Sequence, residues 1–223
     1  MDSTVCAALA ARDFDAYGLH VSYGQRTEAR EQAAAHAVAA AVGLKDVLDL
    51  RTDFFRRIGG SALTDTSIAV PTSTLDAPED AAQRHGSDVP VTYVPFRNAH
   101  FLSAAVSWAE VLGATAVFIG AVEQDSSGYP DCRPAYYAAF QQLIDAGTRD
   151  GGSTGSIRIH TPLIALRKHE IVRLGVELGA PLHISWSCYS GEAEACGVCE
   201  SCVLRLRAFA EAGLTDPIPY AAT

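Results

Sequence analysis

The chain has 223 residues, 48% of them hydrophobic, enough for one domain with a full core and no need of stapling disulfides. Seventeen basic against 26 acidic residues leave a net charge of −9. That speaks against gripping tRNA or DNA by the phosphates and favours a small-molecule substrate. No run of eighteen apolar residues offers a membrane span and the start shows no secretory pattern, so a soluble, cytoplasmic protein is expected.

Residues 3–12 read as a helix already under way, and residues 16–23 as a strand. Thr27 is placed to cap an alanine-rich helix that runs to Val42 and is stopped by Gly43. Residues 46–50 form a short strand. Residues 51–90 are rich in Thr, Ser, Pro, Asp and Gly and read as a loop-rich insertion with a weak helix near its start. Residues 91–94 are a further apolar stretch that reads as a strand. Phe101, Ala104, Ala105, Trp108 and Leu112 repeat at helical spacing over 100–112. Thr115 to Ala121 is continuously apolar, as in a strand covered on both faces. A helix is expected over 134–147, a strand over 156–163, and helices over 168–178 and 200–212. Alternating strands and helices imply an α/β fold with a parallel sheet, helices on both faces, and ligands beyond the strands' carboxyl ends.

Six cysteines are present, and four of them lie within fifteen residues: Cys188, Cys196, Cys199 and Cys202, spaced C-x7-C-x2-C-x2-C. A C-x2-C turn brings two sulfurs to one ion, and Gly197 eases that turn. Four thiolates complete a tetrahedron with no open position, so structural zinc is expected. Iron–sulfur ligation, a redox pair or buried free thiols are the alternatives. Cys6 fits a packed position on the first helix.

Two polar segments follow strands. Val94-Pro-Phe-Arg97-Asn98 puts a guanidinium and an amide at a helix start, suited to phosphate, carboxylate or a purine edge. Asp125-Ser-Ser-Gly-Tyr129-Pro-Asp131-Cys132-Arg133 holds two carboxylates, a ring and a guanidinium on a Gly/Pro-shaped loop. It suits a stacked heterocycle whose ring N–H groups are read by carboxylates, and an aspartate there could hold Mg²⁺. The plainer reading is helix capping, with Asp131 in the N-cap region of the helix after Pro134. Tyr23-Gly24-Gln25-Arg26 is a third strand-end loop, and Lys168 brings a cation to the same face.

These stretches, with Phe101-Leu-Ser, Thr161-Pro-Leu, Lys168-His-Glu-Ile and the knuckle ending in Leu204-Arg205, resemble the QueC family (7-cyano-7-deazaguanine synthases) of PP-loop ATP pyrophosphatases. The resemblance covers nearly the whole chain. It implies a Rossmann-like adenine-nucleotide α-hydrolase fold over residues 1–183 and a zinc-binding segment over 184–223. It implies a carbon–nitrogen ligase that uses ATP with Mg²⁺ and ammonia to turn 7-carboxy-7-deazaguanine into the 7-cyano compound in queuosine biosynthesis. It also implies a homodimer, while the acidic charge and the lack of a long apolar run point to no nucleic-acid or membrane partner. Asp125, Asp131 and Lys168 would be catalytic, with Lys168 neutralising phosphate charge. Arg97, Asn98, Tyr129 and Arg133 would bind the deazapurine, and Asp2, Ser3, Tyr23 and Gln25 the ATP. A tRNA-modifying PP-loop ATPase and a non-catalytic deazapurine binder are the competing readings.

PP-loop enzymes carry Ser-Gly-Gly-x-Asp-Ser after their first strand, and Met1-Asp2-Ser3 fits the last three residues of that motif. The expectation is therefore that Met1 stands inside the motif, and that a chain lacking the Ser-Gly-Gly turns ATP over poorly.

Overall fold

The computed structural model describes residues 1–75, 89–123 and 128–221. Helix α1 (Asp2–Asp13) leads into β1 (Gly18–Ser22), α2 (Glu28–Val42), β2 (Val47–Arg51) and the short α3 (Phe54–Ile58). Then come α4 (Arg97–Leu112), β3 (Ala116–Phe118), α5 (Pro134–Gly147), β4 (Arg158–His160), α6 (Lys168–Glu177) and α7 (Glu200–Glu211). Single 3-10 turns stand at Pro130–Cys132 and Leu182–Ile184.

The alternation of strands and helices is the expected one, and both strand pairings are parallel. β1 lies beside β2 from Gly18 opposite Val47 to Ser22 opposite Arg51, and β3 beside β4 from Ala116 opposite Arg158 to Phe118 opposite His160. Among the described residues these are two separate two-stranded pairs rather than one continuous sheet.

The stretch 91–94 corrects the expectation of a strand. Pro90 has no N–H to give a ladder, and Tyr93 N–H turns back to Pro90 O (3.0 Å). Among the described residues the segment makes one backbone–backbone bond to a distant stretch, Ala62 N–H to Val91 O (2.9 Å), and Val91 and Val94 are buried from a turn. Helix α4 also starts earlier than expected, at Arg97, because Phe96 takes a left-handed conformation (φ 56°) that turns the chain into the helix.

Four packed clusters hold the body. One lies between α4, β3 and α5, centred on Leu102, Val117, Phe140 and Ile144. A second joins α1, α6 and α7 through Val5, Ile171, Val172 and Phe209, and Cys6 is buried in it as expected. A third wraps the four cysteines with Ala34, Trp186 and Ile218. The fourth packs Val21 and Tyr23 on Phe55, Leu63 and Val94, with Phe55 only 1% exposed. Burying such a ring fully contributes about 1.5–3 kcal/mol.

The C-terminal segment is tied to the body by specific bonds. Thr27 hydroxyl donates to Cys188 O (3.0 Å), and Ser73 N–H to Val198 O (2.7 Å). Arg205 is buried on α7. Its Nε and Nη2 grip both Asp216 oxygens (2.7 and 2.9 Å), and its other donors reach Ser185 Oγ and Leu182 O.

Candidate active site

A cleft opens where the carboxyl ends of β1 and β3 meet the amino ends of four helices. It has two lobes, of about 310 and 220 Å³, that share Met1, Asp2, Ser3, Arg97, Tyr129, Ser187, Tyr189 and Ser201. The lining includes the first residues of α1 (Asp2, Ser3), α4 (Arg97, Asn98), α6 (Lys168) and α7 (Glu200, Ser201). Each helix start carries roughly half a positive charge. Four of them converging make a site for an anionic ligand.

On the larger lobe, Lys168 Nζ donates to Asp2 Oδ2 at 2.7 Å, joining chain positions 166 residues apart. Burial would raise the Asp2 carboxyl, but the Lys168 ammonium and its hydrogen bond outweigh it and hold that carboxyl below its ordinary value. Among the described residues Asp2 Oδ1 is buried and has no hydrogen-bond partner, and the same holds for Arg97 Nε, Ser187 Oγ and, on the smaller lobe, Trp186 Nε1. Buried polar atoms are nearly always satisfied in folded proteins, so four orphans on one cleft mark where a ligand belongs. The approach of α1 to β3 depends on Gly120, where a Cβ would stand 2.9 Å from the Asp2 and Ser3 backbone.

The smaller lobe takes Tyr23 and Gln25 from the β1 loop. Gln25 is buried and shapes the turn: its Oε1 accepts from Tyr23 N–H (2.8 Å) and its Nε2 donates to Glu31 (3.1 Å). Arg97 Nη1 donates to the Tyr23 hydroxyl (3.0 Å), and its guanidinium lies over the Tyr23 and Phe101 rings.

The polar loop after β3 is used differently from its composition. Asp131 is buried behind the cleft and lines neither lobe. Its Oδ2 accepts the Asn98 N–H (3.1 Å), so it caps α4 rather than α5, whose N-cap is Arg133. Burial raises the Asp131 carboxyl, against the Asn98 N–H and the Arg97 charge, which lower it. The Asn98 amide donates to Asp131 O (3.0 Å) and locks the same loop. Arg133 is exposed and outside the lining. Tyr129 does face the cleft, and its hydroxyl meets Thr92 Oγ1 at 2.7 Å. Burial pushes that hydroxyl up to about 12. Asp125 lies outside the described residues.

The four cysteine sulfurs lie within 4.8 Å of one another, with Cys196 and Cys202 sulfurs 3.9 Å apart. A tetrahedral zinc about 2.3 Å from each sulfur needs sulfurs roughly 3.8 Å apart, so the set fits such an ion. Backbone N–H groups of Ser190, Gly191 and Cys196 donate to Cys188 Sγ at 3.1–3.4 Å, and Cys199 N–H to Cys196 Sγ at 3.3 Å. Such bonds orient thiolate ligands and stabilise their charge. Hydrogen bonds from the Cys199 and Cys202 thiols, with those backbone donors, pull the Cys188 thiol far below its ordinary value. Gly197 takes the left-handed conformation the C-x2-C turn needs (φ 74°).

Sequence reasoning passed over Ser187, Tyr189, Glu200 and Ser201, all of which line the cleft. They flank Cys188, Cys199 and Cys202, so the knuckle forms one wall of it. The signal was available: a helix beginning directly after Cys199 points its first residues at whatever the knuckle borders.

Fold and cleft together define an α/β protein with a cleft suited to an anionic ligand beyond its strand ends, beside four cysteines that could hold a metal ion. The family described as queuosine biosynthesis protein QueC matches residues 1–213, and the chain belongs to it. Relatives named 7-cyano-7-deazaguanine synthase are 70% identical over 221 residues in Acidobacterium capsulatum, 61% over 224 in Koribacter versatilis and 52% over 221 in Chlorobaculum tepidum. Each alignment covers 99% of this chain, and 93%, 90% and 92% of the relative. Among the described residues no helix is long and apolar enough to cross a membrane.

Proposed function

We propose that the chain converts 7-carboxy-7-deazaguanine, ATP and ammonia into 7-cyano-7-deazaguanine. The observation that carries this for the site is the cleft at four helix starts with Asp2 Oδ1, Arg97 Nε and Ser187 Oγ buried and without hydrogen-bond partners among the described residues, in a chain of the QueC family.

The chemistry explains why such a cleft is needed. A carboxylate is a poor electrophile. Attack of its oxygen on the α-phosphorus of ATP expels pyrophosphate and leaves an acyl adenylate. Ammonia then displaces AMP and gives the amide. A second ATP activates the amide oxygen in the same way, and loss of AMP with the nitrogen protons yields the nitrile. Each activation releases pyrophosphate, so the site must neutralise anionic charge as it develops.

In this reading the starts of α1 and α6 receive the phosphates, with Ser3 donating and Lys168 supplying charge. Mg²⁺, when bound, neutralises the departing pyrophosphate. The buried Asp2 Oδ1 fits it, because a carboxylate oxygen without a partner in a closed cleft is a hard-cation ligand in waiting. Tyr23 and Gln25 face the nucleotide, and Arg97 and Tyr129 face the deazapurine. Asp131 and Asn98 act by holding the loop that presents Tyr129 rather than by touching the substrate. Zinc in the knuckle supplies a crosslink and no reactive position. Residues 184–223 serve as a zinc-pinned appendage that completes the wall. The protein acts as a homodimer in the cytoplasm.

Incubation of the purified chain with 7-carboxy-7-deazaguanine, ATP, Mg²⁺ and ammonium, followed by mass analysis, tests the proposal. The nitrile is the expected product. Substrate bound with neither pyrophosphate nor nitrile released would make the chain a binder and overturn the catalytic reading.

A further inference from the structure

We infer that Glu200 is the residue that recognises the guanine-type edge of the substrate, a specificity determinant built onto the metal knuckle. The inference rests on the proposed substrate class.

Glu200 is half-buried at the start of α7 and lines the larger lobe. Its only hydrogen bond among the described residues is from the Thr92 hydroxyl to Oε2, at 3.3 Å, and it makes no ion pair there. It does not cap its own helix: the N-cap, Cys199, has no side-chain cap bond, and Glu200 turns toward Thr92 instead. A carboxylate only accepts, so the Thr92 proton goes to Glu200 and the Tyr129 hydroxyl donates to Thr92 Oγ1 at 2.7 Å. The relay Tyr129–Thr92–Glu200 orients the carboxylate through one lone pair of Oε2, so Oε1 and the second lone pair of Oε2 can accept from a ligand.

Apart from Asp2, which is paired with Lys168, the charged groups on this lobe suit anions: helix starts, Lys168 and Arg97. An acceptor held among them is suited to a different part of the ligand. A 2-amino-4-oxopyrimidine ring offers two adjacent donors, the ring N1–H and the exocyclic amine, in a fork that matches one carboxylate. Adenine offers no such pair, since its N1 is an acceptor that Glu200 would repel. The deazapurine ring is therefore read at Glu200, with the Tyr129 ring alongside, and the adenylate is excluded from that position. Of the two carboxylates the sequence suggested for this work, Asp131 is committed to α4 behind the wall and Asp125 lies outside the described residues.

Calorimetric binding of 7-carboxy-7-deazaguanine, and of its analogue lacking the 2-amino group, to wild type, Glu200→Gln and Thr92→Val tests this. Metal content and circular dichroism check the fold. Loss of a charged fork in a site built for it should weaken substrate binding about 10- to 100-fold in Glu200→Gln. ATP affinity should stay within about two-fold, because the inference places no part of ATP there. Wild type should prefer the 2-amino compound over the analogue, and Glu200→Gln should lose that preference. Thr92→Val, which frees Oε2 without removing the carboxylate, should show a smaller loss. Undiminished binding and preference in Glu200→Gln, with wild type binding well, would overturn the assignment and leave the proposed function intact. Wild type that ignores 7-carboxy-7-deazaguanine would overturn both.

Discussion

The cysteine knuckle and the cleft beside it are neighbours in the chain and opposites in their treatment of polar atoms. In the knuckle, three backbone N–H groups converge on Cys188 Sγ and a fourth reaches Cys196 Sγ, and the four sulfurs close on one point. Across the wall, Asp2 Oδ1, Arg97 Nε and Ser187 Oγ are buried without hydrogen-bond partners among the described residues. Leaving such groups unsatisfied costs about 1–3 kcal/mol each. A region that is complete in itself stabilises the fold, and one that is incomplete marks where a ligand finishes it.

The largest expected effect breaks the complete side. Cys199→Ser should lose the metal and the cooperative unfolding transition together, a cost of more than about 5 kcal/mol given what structural zinc contributes. Metal analysis alongside a thermal melt checks it. A folded variant that loses only turnover would move the knuckle into the chemistry. Next, Arg205→Ala leaves Asp216 buried and unpaired, which should destabilise the protein by about 3–5 kcal/mol in denaturant titrations.

On the incomplete side the order reverses, with rate falling and stability held. Lys168→Ala or Asp2→Asn should lower pyrophosphate release by roughly 10²- to 10³-fold with metal content unchanged. Asp131→Asn sharpens the comparison most finely. Its amide oxygen can still accept the Asn98 N–H, so activity should change little. Because the native carboxyl is raised above its ordinary value, its contribution to stability is full below that ordinary value and is lost as pH rises through the raised one. The variant should therefore gain slightly on wild type in melts as pH rises above the ordinary carboxylate range, a gap that should be absent at low pH. A large loss of turnover with an unchanged melt would put Asp131 in the reaction.

Much of this arrangement was legible in the sequence because it is local. Pro134 and the residues behind it mark α5 at both ends, Gly43 stops α2, and the C-x2-C spacing brings the sulfurs together within a few turns of chain. What was not legible is what distance in sequence hides. The carboxylate of Asp131 and the N–H it caps are 33 residues apart. Proximity to Pro134 suggested the wrong helix, since nothing local shows that α4 begins beside that loop. Lys168 could be read as a cation on the right face, but its partner at Asp2 is fixed only by the packing of α1 on α6. Glu200 was hidden by its neighbours: between two ligands it reads as spacer, and only the position of α7 against Thr92 turns it toward the cleft.

Gly120 carries a consequence for how freely this protein can vary. Its backbone angles suit any residue, yet a Cβ there would sit 2.9 Å from main-chain atoms of Asp2 and Ser3, which have no side-chain rotamer to give way. Every substitution adds that carbon. Alanine, the mildest change available, would push the first turn of α1 off the end of β3 and carry Asp2 away from Lys168. The position therefore tolerates glycine alone, for the sake of residues more than a hundred places earlier in the chain.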